Sequence, residues 1–213
     1  MATIHHTTMV PTKLELISAW LPRQPWYRAT GAPPALQRGG GFRLDDPAGE
    51  VGLEFIVVTD GPQGQETTYF VPVSYRGAPL AGAEGGLLGT SEHGVLGRRW
   101  VYDAAHDPVA VAQLLAFLRG AAEAQHQDDS DTPDPSVTRR WTGGAAPTST
   151  GPLQVAHTAP GRTTVALGSG HAVELVRLLQ AGDGATGEGI GSIEAGWTGP
   201  EGTVVRGTVV VVR

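Results

Sequence analysis

The chain has 213 residues, 40% of them hydrophobic and 17% charged, enough apolar material for one large domain or two small ones and too much for global disorder. A formal net charge of -6 with no basic block argues against nucleic acid or an anionic membrane as partner. Cysteine is absent, which removes disulfide and thiolate chemistry, and no run approaches the roughly 20 apolar residues of a membrane-spanning helix.

Residues 1–12 carry His5 and His6 but no apolar core, so they do not read as a signal peptide, and a cytoplasmic location is expected. From Thr12 to Leu21 the apolar residues Leu14, Ile17 and Leu21 recur at helical spacing with Trp20 beside them, which predicts a short amphipathic helix stopped at Pro22. Pro22 to Tyr27 reads as a turn carrying Trp26 and Tyr27, and Gly31 to Gly41 as a loop. Phe42–Glu50 and Val51–Thr59 predict a hairpin, and Thr68–Arg76 a third strand. Pro72 lacks a ladder donor, so an edge position or a bulge is expected there. After a loop over Gly77–Thr90, the stretch from Gly94 to Arg119 has the clearest pattern in the chain. Gly94–Asp103 is strand-like. Asp107-Pro108 then makes a helix start, and Val111, Leu114, Leu115 and Leu118 form the stripe that packs.

Residues 121–136 are acidic, contain proline and lack large apolar groups, which predicts a linker. The expected division is thus 1–120, a linker over 121–136, and 137–213. In the last part Gln154–His157, Thr163–Leu167, Ala172–Leu179 and Thr203–Arg213 read as strands. The terminal valine run should lie inside a sheet, one that the first half could share. Gly143–Pro152 and Gly182–Gly202 read as glycine-rich connections, the latter mobile. The fold class expected is α+β: an antiparallel sheet with two helices on one face, followed by a smaller β-rich part.

The chemistry-bearing residues are few. Glu50 and Glu54, in a hairpin that also holds Asp45 and Asp46, would share a strand face and could serve as acid and base. Turn formation and a solvated face are the commoner roles of such a cluster. Ser91-Glu92-His93 holds a serine close to a histidine but in no nucleophile-elbow context. Neither His5-His6 nor His93 and His106 has the helical spacing of a metal pair, and no metal or cofactor is expected. The glycines at 82–89 and 182–191 lack the lysine and the strand–loop–helix context of a phosphate loop. Trp26 and Tyr27 could stack on a sugar or hold a partner, or simply pack under the proline turn. Arg98 and Arg99 could receive an anion, although pairing of one of them with the hairpin carboxylates is the plainer role.

Several segments together resemble a known family. They are Thr12–Leu16, Trp20-Leu21-Pro22-Arg23-Gln24-Pro25-Trp26-Tyr27, Gly41-Phe42-Arg43-Leu44-Asp45-Asp46-Pro47, Tyr75–Leu80, Glu92–Asp103 and Asp107-Pro108. This set, over about residues 10 to 120, resembles the N-terminal cap domain of actinobacterial maltokinases and related aminosugar kinases. The resemblance implies a cystatin-like fold, a curved antiparallel sheet with helices, that sits on the nucleotide-binding lobe of an enzyme phosphorylating maltose with ATP and magnesium. More faintly, Thr163–Gly168 and Ala172–Arg177 resemble the strand pair that bears the ATP-binding lysine. Glu174 stands where that lysine would be, and a carboxylate there repels phosphate. The sequence reaches Arg213 without the lobe that would hold the catalytic aspartate and magnesium ligands, so kinase activity by this chain alone is not expected. The resemblance thus implies an accessory or regulatory protein of maltose, trehalose or glucan metabolism that binds an enzyme. A carbohydrate-binding protein and an enzyme of another type are the alternatives. Trp26, Tyr27, Glu50, Glu54, His93, Arg98 and Arg99 are the residues expected at the contact. The oligomeric state is not legible.

Overall fold

A computed structural model describes residues 8–62, 64–129, 131–144, 153–158, 161–182, 189–199 and 202–213. A two-residue strand, β1 (Met9–Val10), precedes helix α1 (Lys13–Trp20). Thr12 starts this helix with a reciprocal cap: its hydroxyl accepts from the Glu15 amide at 3.3 Å, and the Glu15 carboxylate accepts from the Thr12 amide at 2.7 Å. β2 (Gln37–Asp45) and β3 (Gly52–Asp60) then form the expected hairpin. Asp46 shapes its turn by accepting from the amides of Ala48, Glu50 and Val51.

β4 (Thr67–Arg76), β5 (Leu87–His93) and β6 (Gly97–Asp103) follow, and β6 runs through a 3-10 turn at Ala104–His106 into helix α2 (Pro108–Leu118). Asp107 caps α2 as its sequence requires, accepting from the Val109 amide at 2.9 Å, with Pro108 in the first turn. The second half contributes β7 (Thr138–Trp141), β8 (Gln154–Thr158), β9 (Arg162–Ala166), β10 (Ala172–Val176), β11 (Leu178–Leu179), β12 (Gly191–Thr198) and β13 (Val204–Val212).

These strands make one antiparallel sheet of order β1-β5-β6-β4-β3-β2-β12-β13-β10-β9-β8, with β7 beside β12. β10 and β11 are two pieces of one stretch, parted at Arg177. β10 pairs with β13 and β9, whereas β11 turns to β4. The path β4-β3-β2-β12-β13-β10 therefore returns through β11 to β4, and the sheet closes on itself. The terminal valine strand lies inside it between β12 and β10, in a sheet shared with the first half as the sequence suggested.

The residues expected as a linker are tied to this sheet. Gln125 exchanges backbone hydrogen bonds with Arg43, and the Asp134 amide donates to the Ala124 carbonyl. Arg38 donates to Gln127 and Asp128.

Two expectations about packing are corrected. The helices do not share a face. Along β3, Leu53, Phe55 and Val57 pack with α2 and with strands of the second half, while Ile56 and Val58 pack with α1, Trp20 and Trp26. A strand apolar on both faces needs cover on both, and one helix serves each. Nor is Pro72 at an edge or a bulge. It pairs in register with Phe55, and its missing donor points to the side where β4 changes neighbour, between β11 at Thr68–Tyr69 and β6 at Val73–Arg76.

Three stretches read as loops are strands. β2 begins at Gln37 and runs through Gly39, Gly40 and Gly41, with a register shift between Arg38 and Gly40. A Cβ on Gly41, at φ 131°, would stand 2.2 Å from the Phe55 carbonyl oxygen. β5 lies within the region read as the 77–90 loop and continues through Ser91-Glu92-His93. β12 lies within 182–202, where Gly191 leaves room for the Trp141 ring. The rest of that expected mobile stretch at 183–188 and 200–201, and most of 143–152, lie outside the described residues.

Candidate functional site

The residues expected at a contact are dispersed, and most are already engaged. Glu54 holds Lys13 Nζ at 2.6 and 2.8 Å and faces the Tyr75 hydroxyl at 3.5 Å. Glu50 lies exposed in the turn before β3, so the two glutamates do not share a strand face. His93 closes the β5–β6 turn, its Nδ1 accepting from the amides of Val95 and Leu96. Arg98 pairs across the strands with Glu92 at 2.7 Å rather than with the hairpin carboxylates. Arg99 donates to the Leu96 carbonyl at 3.0 Å. The hairpin carboxylates are met by other cations, Glu54 by Lys13 and Asp45 by Arg43 at 3.8 Å.

Trp26 is buried at 5% exposure, edge-on to Trp20 at 5.8 Å and tilted against Tyr69 at 6.0 Å, so its face is not open to a sugar. Tyr27 packs on Tyr69 and donates its hydroxyl to Asp60 at 2.8 Å. Burial and the neighbouring Asp60 carboxylate push this phenol up to about 12. His5 and His6 lie outside the described residues. Among the described residues, no group of three or more metal-binding side chains is placed to hold an ion.

The strongest concentration of buried polar chemistry lies elsewhere, where β11 meets β4. Arg177 is fully buried and parts β10 from β11. Its guanidinium donates to Asp103 Oδ2 at 2.6 Å, to Thr163 Oγ1 at 2.8 Å and to the Phe70 carbonyl at 3.4 Å. It also lies 5.1 Å from the Trp26 ring centre, in cation–π range. Asp103, at 1% exposure, accepts in addition from the Ala105 amide at 3.2 Å. Backbone bonds frame the cluster: the Phe70 amide donates to the Arg177 carbonyl at 3.0 Å, and the Arg177 amide to the Gly161 carbonyl at 2.7 Å. A guanidinium so deep is tolerable when its nitrogens find acceptors, and here a carboxylate, a hydroxyl and a carbonyl oxygen take one each.

Two histidines adjoin this cluster. His106, in the turn after β6, packs against Gly86 so closely that a Cβ there would meet its ring at 2.5 Å. Burial lowers its proton affinity, with Arg177 acting in the same sense and Asp103 opposing. His157 on β8 brings Nδ1 to 3.1 Å from Thr163 Oγ1 and is likewise lowered, by burial first and then by Arg177. Sequence reasoning did not single out Asp103, Thr163, Arg177 or His157. The signal present was a lone arginine inside Val-Arg-Leu-Leu, which strand alternation puts on the same side as Val173 and Leu175.

Residues 20–107 match the family model of the maltokinase N-terminal cap domain. The resemblance drawn from the sequence therefore holds over that span, which reaches from the last turn of α1 through β6 to the cap of α2. No curated protein matches the chain. Asp103, Phe70 and Trp26 lie inside the matched span, whereas Thr163 and Arg177 lie outside it, so the buried cluster fastens the cap-like span to the rest of the polypeptide. No helix among the described residues is long and apolar enough to cross a membrane.

Proposed function

We propose that this chain is a non-catalytic accessory protein of cytoplasmic maltose, trehalose or glucan metabolism, acting by docking on an enzyme. In this reading residues 1–120 are a cystatin-like cap, residues 121–136 the connection, and residues 137–213 derive from the first strands of a kinase nucleotide-binding lobe. The observation that carries it is a conjunction. A span matching the maltokinase cap is joined to strands on which Glu174 is held between Arg162 at 3.2 Å and Arg213 at 3.0 Å. Glu174 stands where the resemblance puts the nucleotide-binding lysine. A carboxylate there opposes phosphate, and its arginines are spent on it.

The alternatives have less support. A sugar-binding face built on Trp26 and Tyr27 would need rings that are instead packed on Tyr69. An acid–base pair of Glu50 and Glu54 would need a common face that they do not have. The test has two arms. With ATP, magnesium and maltose, the purified chain should yield no maltose phosphate above a blank, and mixed with a maltokinase it should co-elute with the enzyme or change its rate. Turnover by the chain alone would overturn the reading, as would failure to touch the enzyme alongside heat released on titration with maltose, trehalose or glycogen.

A further inference from the structure

His157 links the buried cluster to the surface. His157 is exposed on the edge strand β8, and the atom it turns inward meets Thr163, which is fully buried. Thr163 has one hydroxyl hydrogen to place and an oxygen that already accepts from Arg177 Nε. With His157 neutral and its proton on Nε2, the account closes: Arg177 donates to Thr163, and Thr163 donates to His157 Nδ1.

We propose that His157 is an acid sensor for the seam between β4 and β11, read by Arg177 through the Thr163 hydroxyl. A proton on Nδ1 turns the acceptor into a donor. Thr163 Oγ1 then faces two donors, and the hydrogen of this fully buried hydroxyl loses the acceptor it had. The new charge also stands beside Arg177. The response falls on a short pairing, because β11 meets β4 through Leu178 and Leu179, next to the bond from the Phe70 amide to the Arg177 carbonyl.

Among the described residues, four groups face His157. Thr163 comes from β9, Arg177 from the β10–β11 junction, Asp103 from the end of β6 and His106 from the 3-10 turn. The Arg162–Glu174 pair belongs to the opposite face of the same strands. In the turn that packs on His106, Glu84 directs its carboxylate to the Gly82 amide, and Asp107 is held by Arg76. Both histidines have lowered proton affinity in the folded chain, so the unfolded chain takes up the proton first as pH falls. Stability that is whole above about 6.5 is therefore lost progressively as pH falls below that value and through the lower folded one.

Amide hydrogen exchange on the full chain tests this. Protection factors at Phe70, whose amide donates across the seam, and at Arg177, whose amide donates to the Gly161 carbonyl beside it, should fall about tenfold or more between pH 7.5 and pH 5. In His157→Gln, whose amide oxygen can still accept from Thr163 and does not titrate, they should stay nearly constant. In a Thr163→Val background, His157→Gln should no longer alter the pH dependence. Wild-type protection that is flat over this range overturns the proposal. So does an equal fall in His157→Gln, which would assign the effect to His106 or another group.

Discussion

Arg177 and Asp103 are both removed from water, and each is tolerable because the other is there. Charge in such a place is costly alone and near neutral when paired, so loss of one partner exposes the full cost of desolvating the other. Asp103→Ala should therefore destabilise the chain by about 3–5 kcal/mol, read as a lowered denaturant midpoint. The exposed Arg98–Glu92 pair, at 61% and 59% exposure, is as short on paper, yet Glu92→Ala should change stability by less than about 1 kcal/mol. If the two substitutions cost the same, burial is not what gives the Arg177 contact its weight. The same reasoning explains the dispersal of the residues expected at a contact: Glu54, Arg98 and Tyr27 each met a nearby complementary group on folding.

Among the elements, α2 is the one whose start is most heavily committed. Asp107 caps it, is fully buried, and holds Arg76 through two bonds of 2.7 Å each. Asp107→Ala should cost about 2–4 kcal/mol, combining a lost cap with a stranded arginine. Thr12→Ala, at the exposed cap of α1, should cost about 1 kcal/mol. Burial raises the proton affinity of Asp107, but Arg76 and the Val109 amide outweigh it and the net direction is down. Its contribution is thus present above about pH 4 and lost as pH falls through the folded value, a loss that Asp107→Asn should remove from the acid limb of the stability curve. Both helices were legible because their caps and stripes are written locally. The β2–β3 hairpin was legible too, since Asp46 and the apolar alternation act over a few residues. β5 and β12 were not, and neither was the start of β2, because their glycines read as breakers. Gly39–Gly41 form a bend where β2 comes against β12, and Gly191 gives its space to the Trp141 ring. Glycine in these strands answers to a neighbour far along the chain, which no local pattern reveals. The Arg177 cluster was hidden for the same reason, with Asp103 and Arg177 lying 74 residues apart in sequence.

Across the whole molecule, the span matching the maltokinase cap and the residues after it contribute to one core. Phe55 and Phe70 from the first half pack in the same cluster as Val165, Leu175, Ile193, Trp197 and Val210 from the second. With β2 against β12 at one side and β11 against β4 at the other, the halves are joined twice, and the buried ion pair sits at the second joint. A partner enzyme would in that case meet a single body rather than a cap swinging on a tether. Native-state hydrogen exchange in rising denaturant measures this most directly. Amides of β3 from Leu53 to Val58 and of β13 from Thr208 to Val212 should converge on one opening free energy with one denaturant dependence. Two separate isotherms, with β13 opening well below β3, would show that the halves unfold independently and would contradict the closed sheet as the unit of this protein.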